Sequence, residues 1–399
     1  MLATTPSIKH NVVLHFQDSL RILLVGSIIG ALRGGLVTED LDAIPIQSGM
    51  ARAFISQGNL HVVSARANGE DHRKKILGVL SSIHRALVAN RDRADQRDIE
   101  FVFSVEDKVD DVTNPEHPVW VFARTPTEEG VWLMPDFSFW AWDNAFNYIG
   151  PYDQVVDRIQ RLDLPWDQKI PQLVWRGKPS FAPKLRRALI EAARDKPWGD
   201  VRQVEMEHGG ECAQNGGSLP LHVHCSCGST KGYNILSLAV EKKSEGVALT
   251  EIAGRSYSAS LKYRQACNSV IVAHKLQYIQ HHHYLLISDG PQQNYVEVER
   301  DFSDLADKIE PLVQNTTAAA QIAHNSVKTF RERYLTPAAE ACYWRELFDG
   351  YSSVWNSSVD VWSSRHGKER GLRYESFLLL PSPQQLEFRA EMAFSGPIA

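Results

Sequence analysis

Residues 100–107 read Glu-Phe-Val-Phe-Ser-Val-Glu-Asp, an apolar run of strand length that stops abruptly at two carboxylates. Such a run fits a strand covered on both faces, the usual state of a parallel sheet. Residues 119–123 (VWVFA) and 173–175 (LVW) are two more runs of the same kind. Around them, 60–64 reads as a strand, and 74–89 as a helix with Ile76, Leu77, Leu80, Ile83 and Leu87 on one face. Short buried strands alternating with amphipathic helices predict an α/β fold.

The same alternation continues toward the C-terminus. After the turn-rich GKPSFAP (177–183), residues 184–195 have a helical pattern with Pro183 suited to its first turn. A polar stretch rich in Gly, His and Cys follows at 196–230, which puts a domain crossover near 196–205. Beyond it, 233–240, 270–274, 284–287 and 295–298 read as strands. Residues 260–267, 303–313, 318–334 and 338–351 read as helices, and 375–380 as a short edge strand. At 399 residues the chain exceeds the size at which one core keeps growing, so two domains are expected, 1–200 and 201–345, followed by a tail at 346–399.

Composition narrows the class. With 43 basic against 48 acidic residues the net charge is −5 and no long basic stripe appears, which excludes a nucleic-acid partner. Ten Trp, twelve Tyr and fifteen Phe supply a large core and ring faces for stacking sugars or bases. Five cysteines, Cys212, Cys225, Cys227, Cys267 and Cys342, lack framework spacing and argue against a disulfide-dependent scaffold, leaving one or two bridges open. The most apolar segment, 21–37, holds its longest uncharged stretch at 22–32, too short to cross a bilayer, and reads as a buried helix. No signal-peptide pattern opens the chain.

Three constellations can carry chemistry. Asp107 closes a buried strand, where open α/β sheets place ligands, and could accept a proton from an attacking hydroxyl, with Asp110 and Asp111 close by. The alternative is a solvated acidic loop. Arg176 and Gly177 end another strand and Arg186 lies early on the next helix, a pattern suited to a diphosphate or, equally, to a surface salt bridge. Residues 254–263 (GRSYSASLKY) form a Gly/Ser loop opening into a helix, where backbone N–H groups and hydroxyls can cradle phosphate; Ser258 also suits a helix cap. No metal site is expected. His222-Val223-His224-Cys225-Ser226-Cys227 is too cramped for four ligands, His281-His282-His283 reads as a polar helix end, and Asp40-Leu41-Asp42 closes no buried strand.

Taken in order, these pieces resemble glycosyltransferase family 90, the family of fungal capsule-associated xylosyltransferase-like proteins and animal protein O-glucosyltransferases. The stretches that carry the resemblance are FVFSVED (101–107), PVWVFARTP and MPDFSFWAW (118–142), LVWRGKPS with LRRAL (173–189), GRSYSASLKYRQACNSVIVAH (254–274), QNYVEVERDFSDL (293–305) and CYWRELFDGYS (342–352). They are most similar to the fungal branch. The resemblance implies a GT-B-like fold: two Rossmann-like lobes facing a central cleft, an N-terminal acceptor lobe and a C-terminal donor lobe, with a final helix returning to the first. It further implies transfer of xylose or glucose, with inversion, from UDP-xylose or UDP-glucose to a glycan or glycoprotein hydroxyl. No cofactor or metal is expected beyond the donor substrate, and the location implied is the endoplasmic reticulum or Golgi. Carried over residue by residue, the base is Asp107, and the donor site comprises Arg176, Gly177, Lys178, Arg186, Gly254, Arg255, Ser258, Ser260 and Lys262.

Two departures stand out. Family members often carry arginine where this chain has Ser260, so a diphosphate contact is expected to be either missing or supplied by Arg255 or Lys262. The stretch 225–253 is longer than the short strand expected before the glycine. Both motivate a competing reading, a catalytically silent carbohydrate-binding or scaffolding protein of the same fold.

Overall fold

The computed structural model describes residues 35–390, except 91–97, 109–116, 129, 144–147, 178, 204, 207–211, 215–216, 219–245, 252–255 and 364–366. Most of the apolar segment 21–37, the strand expected at 233–240, and Asp110, Asp111, Lys178, Gly254, Arg255 and the His222–Cys227 cluster lie outside the described residues.

In chain order the main elements begin with β1 (Met50–Ser56), β2 (Asn59–Arg66), α1 (Glu70–Val88), β3 (Ile99–Ser104), β4 (Val119–Val121) and β5 (Trp132–Leu133). Next come α2 (Tyr152–Leu162), β6 (Ile170–Gly177), α3 (Pro183–Ala192), β7 (Gly199–Gln203), β8 (Gly246–Glu251), α4 (Leu261–Arg264), β9 (Val270–His274) and β10 (Val296–Val298). The chain continues through α5 (Leu305–Gln314), α6 (Thr316–Thr329), α7 (Pro337–Ser352), β11 (Leu372–Arg373), α8 (Tyr374–Leu378) and β12 (Glu387–Arg389).

These elements divide into two compact units, Met1–Phe137 with Glu340–Ala399, and Ser138–Ala339. The division falls at 137/138 rather than near 200, because β6 pairs with β7 and β8 and so belongs with the second sheet. The segment from Glu340 onward lies in the first unit.

The first unit holds a seven-stranded mixed sheet in the order β11-β2-β1-β3-β4-β5, with β12 also on β2. Strands β3 and β4 are parallel, as their apolar runs predict, and β5 extends them in parallel, whereas β1 pairs antiparallel with both β2 and β3. Its core is aromatic: the Trp120 indole stacks on Phe101 at 4.0 Å, and Tyr351 of α7 meets Trp120 and Trp132 edge-on at 5.2 Å. Glu100, inside the apolar run, is fully buried and receives Arg52 Nε at 2.7 Å and Arg370 Nη2 at 2.9 and 3.0 Å.

The second unit holds a five-stranded sheet, β10-β9-β8-β6-β7, in which every pairing is parallel. Leu173, Trp175, Val270, Val272, Val296 and Val298 from the strands pack with Leu185 and Leu189 of α3 and Leu305 and Ile309 of α5. From β6 the chain steps outward to β7, then returns to the other side of β6 and steps outward the opposite way through β8, β9 and β10. The strand order therefore reverses between β6 and β8, the position where open α/β sheets bind ligands beyond their carboxyl ends.

Two short elements differ from expectation. Residues 284–287 form no strand: His283–Leu285 is a 3-10 turn, and the Asn294 side chain accepts from Ile287 N–H at 2.9 Å and donates to Leu285 O at 2.8 Å in place of a strand partner. Residues 375–380 begin with the helical turn α8, which buries Tyr374 and Phe377.

Candidate functional site

In the second unit the reversal point is framed by the end of β6 and by the segment leading into α4. The last five residues of β6, 173–177, are all buried. Gly177 cannot carry a side chain here, because a Cβ would lie 2.5 Å from the Trp175 ring. Arg176 is bonded to β7 and to its own strand: its Nη2 meets Asp200 Oδ2 at 2.6 Å and its Nη1 donates to Trp175 O at 2.9 Å and to Asp200 O. The salt-bridge reading of Arg176 is the one this geometry fits, although the pair braces β6 to β7 and is largely covered rather than lying on the surface.

Arg186, one turn into α3, behaves differently. Its guanidinium lies 5.8 Å from the centroid of the Trp175 ring, and burial pushes it down to about 10. Beside it is Arg264, the last residue of α4; burial and then the Arg186 charge push Arg264 down to about 9. Arg264 Nη1 donates to Ser260 Oγ at 3.0 Å, and Ser260 Oγ lies 3.0 Å from Ser258 Oγ. Like charge adds to burial at Arg264, and both groups are cations that could meet an anionic ligand. Ser258 and Ser260 add hydroxyls, and Ser260 occupies the N-cap position of α4 without a capping bond from its own side chain.

Lys262 lies in the single turn of α4. Its amine donates to Ala259 O at 2.9 Å and lies over the rings of Phe139 at 4.6 Å and Tyr263 at 5.1 Å. Behind it, His281 and His282 are buried and held neutral, His281 by burial and then the Lys262 charge, His282 by burial and then its imidazole neighbours. His281 and His282 are interior groups, and His283, half-buried, opens the 3-10 turn His283–Leu285.

Residues 264–268 are held from outside by a buried carboxylate. Asp163 receives Lys169 Nζ at 2.6 Å and the Asn268 N–H at 2.7 Å, and Arg331 donates to Ala266 O at 2.9 Å. Cys267, in the same turn, is a free thiol that burial pushes up to about 12, so it is no nucleophile.

In the first unit Asp107 follows β3 by three residues and is exposed. The turn that carries it is tethered: Val105 N–H donates to Gly49 O at 2.8 Å, and Glu106 pairs with His72 Nε2 at 3.3 Å. Gly49 has φ +81, and a Cβ there would lie 3.0 Å from the Glu106 carboxylate, so this position requires glycine. Asp42, one of the Asp-x-Asp pair, is exposed and bonded to Arg52. Among the described residues no group of three or more His, Cys, Asp or Glu could hold a metal ion.

Sequence reasoning missed Arg264. Its signal was the four-residue spacing from Ser260, which places both on one helix face. It also missed Asp163 and Arg331, which act through tertiary contacts that leave no local pattern.

The family model for glycosyl transferase family 90 matches residues 60–366, that is 307 of the 399 residues. No curated protein matches the chain. Among solved structures, a sucrose-phosphate synthase from Thermosynechococcus elongatus is similar over 49% of this chain and 49% of that chain, with 15% identity and a TM-score of 0.32. The chain thus spans about half the length of that structure. The family match begins in β2, takes in Asp107, Arg186, Ser260 and Arg264, and ends just before β11: the chain belongs to glycosyl transferase family 90.

Proposed function

We propose that this chain is an inverting glycosyltransferase that moves xylose or glucose from a UDP-sugar to a hydroxyl of a glycan or protein acceptor. The observation that carries the reading is the pair of buried guanidinium groups, Arg186 and Arg264, at the strand-order reversal, with Ser258 and Ser260 beside them. A diphosphate is the anion that best suits two cations and two hydroxyls at such a place. Family membership supplies the sugar chemistry.

In the reaction the Asp107 carboxylate takes the proton of the acceptor hydroxyl. The oxygen then attacks the anomeric carbon from the face opposite the diphosphate, and the bond to UDP breaks with inversion. Charge accumulates on the departing diphosphate, where positioned cations and hydroxyl donors stabilise it more than they stabilise the bound donor. The guanidinium groups provide this counter-charge, so activity is expected to survive chelation by EDTA. Arg176 contributes by fixing β6 against β7, and Lys262 by filling the aromatic pocket behind α4.

The test is UDP release from UDP-xylose and UDP-glucose across a panel of glycan and peptide acceptors, with Asp107→Asn alongside. Removal of a general base is expected to slow turnover by about 10²–10⁴-fold. A variant as fast as the parent removes Asp107 from the role, and failure of UDP to bind at millimolar concentration removes the enzymatic reading altogether. The secretory pathway is the proposed location. The acceptor asparagines of two sequons, Asn315 and Asn356, are exposed, and no helix among the described residues is long and apolar enough to cross a membrane. Loss of an electrophoretic shift on glycosidase treatment of the protein from its native source would be expected there.

A further inference from the structure

Trp362 is 61% exposed, an unusual state for an indole, which ordinarily spends most of its area inside. It belongs to a small hairpin in the first unit, Trp362–Ser363 paired with Lys368–Glu369. Together with Asp360 it lines two cavities, one of about 1060 Å³ and one of about 590 Å³. The smaller cavity is bounded by Ser56, Gln57 and Asn59, at the β1–β2 turn. Asp107 follows the other end of the same sheet, where Met50 pairs with Ser104. A strand of six residues at ~3.4 Å each separates the two ends by about 20 Å.

The groups around the indole are planar, polar and fixed in advance. Arg370 donates to both oxygens of buried Glu100 and to Asp360 O at 2.9 Å, and Arg52 spans Glu100 and Asp42. His61, on the wall of the smaller cavity, keeps a buried Nδ1 with no hydrogen-bond partner. The lining of the larger cavity sets Glu39, Asp42 and Asp360 among its acids against as many bases, Arg52, Arg66 and Arg370 among them.

We infer that this surface binds a neutral glycan, with a pyranose ring on the Trp362 indole and its hydroxyls on the fixed carboxylates and guanidinium groups. Each feature selects that ligand. Balanced charge favours neither a polyanion nor a polycation. A lining this rich in charge is unlike the centre of a protein interface, where charged residues are depleted. A flat ring beside rigid bidentate donors and acceptors matches the apolar face and polar rim of a sugar. The site lies away from Asp107, so it holds a length of chain that is not reacting.

The experiment is electrophoresis of the full chain through native gels containing a neutral mannan, xylan or β-glucan. The wild-type protein is expected to be retarded in at least one of them. Trp362→Ala should weaken that retention by about tenfold, the scale of one lost ring contact, and Trp362→Phe should restore part of it. Asp107→Asn should be retarded like the parent. Wild-type protein that runs unretarded in all three gels overturns the proposal, as does a Trp362→Ala variant that binds as well as the parent with an unchanged thermal midpoint. UDP release with a short acceptor is measured in parallel. If Trp362→Ala slows that reaction tenfold as well, the indole belongs to the catalytic machinery, and the separate glycan site is wrong.

Discussion

Guanidinium groups go under the surface in both units, but against different neighbours. In the first unit Arg52 and Arg370 converge on Glu100, and Asp42 adds a second carboxylate for Arg52. Burial alone would lower Arg52, yet Glu100 and Asp42 outweigh it and hold the charge above the ordinary range. In the second unit Arg186 and Arg264 are lowered, and the charge that burdens Arg264 is the other arginine. A cation matched by a carboxylate stiffens a sheet. Two buried guanidinium groups whose charged forms are both disfavoured are the feature on which the proposed diphosphate site rests.

Four experiments press on that contrast. Glu100→Gln strands Arg52 and Arg370 and should cost about 3–5 kcal/mol in chemical denaturation, while UDP affinity of the folded protein stays within twofold. Arg264→Met should do the reverse, weakening UDP binding or turnover by about 10²–10³-fold, and should abolish the rise in thermal midpoint that UDP gives the parent. Equal effects of both changes on UDP binding would erase the distinction.

The third concerns pH. His281 and His282 titrate well below their usual value in the folded chain, and His283 is lowered by burial to about 4. The unfolded chain therefore takes up protons that the fold refuses between about pH 6.5 and 4. Stability from these groups is complete above 6.5 and is lost as pH falls, by about 1.4 kcal/mol per pH unit for each proton. His282→Gln should make the slope shallower. The smallest effect is expected from Ser260→Ala, which removes the oxygen that receives Arg264 and should weaken UDP by roughly 0.5–1.5 kcal/mol.

Much of the architecture was legible because buried parallel strands announce themselves as apolar runs. β9 spans the residues expected, and β3, β4 and β6 overlap theirs. β1 was not legible: Arg52 interrupts its pattern, and only the tertiary pairing with Glu100 shows why a charge sits inside a strand. Asn294, next to the strand expected at 295–298, dissolved the one expected at 284–287 by using its amide as a backbone mimic. At the candidate site Arg186 and the two serines could be named from position alone. The fate of Arg176 depended on Asp200, 24 residues away, and Arg264 meets Ser260 only because one turn of helix brings it back to the same face.

The first unit is assembled from both ends of the chain, and β11 and β12, which pair along β2, come from the final thirty residues. The second unit is one uninterrupted stretch, Ser138–Ala339. On a ribosome that stretch is complete while β2 still waits with an open edge, and such an edge recruits other strands unless it is shielded. Nascent chains stopped before residue 372 should therefore hold a finished second unit and an adhesive first one, which makes the segment carrying β11 and β12 the guard against misassembly.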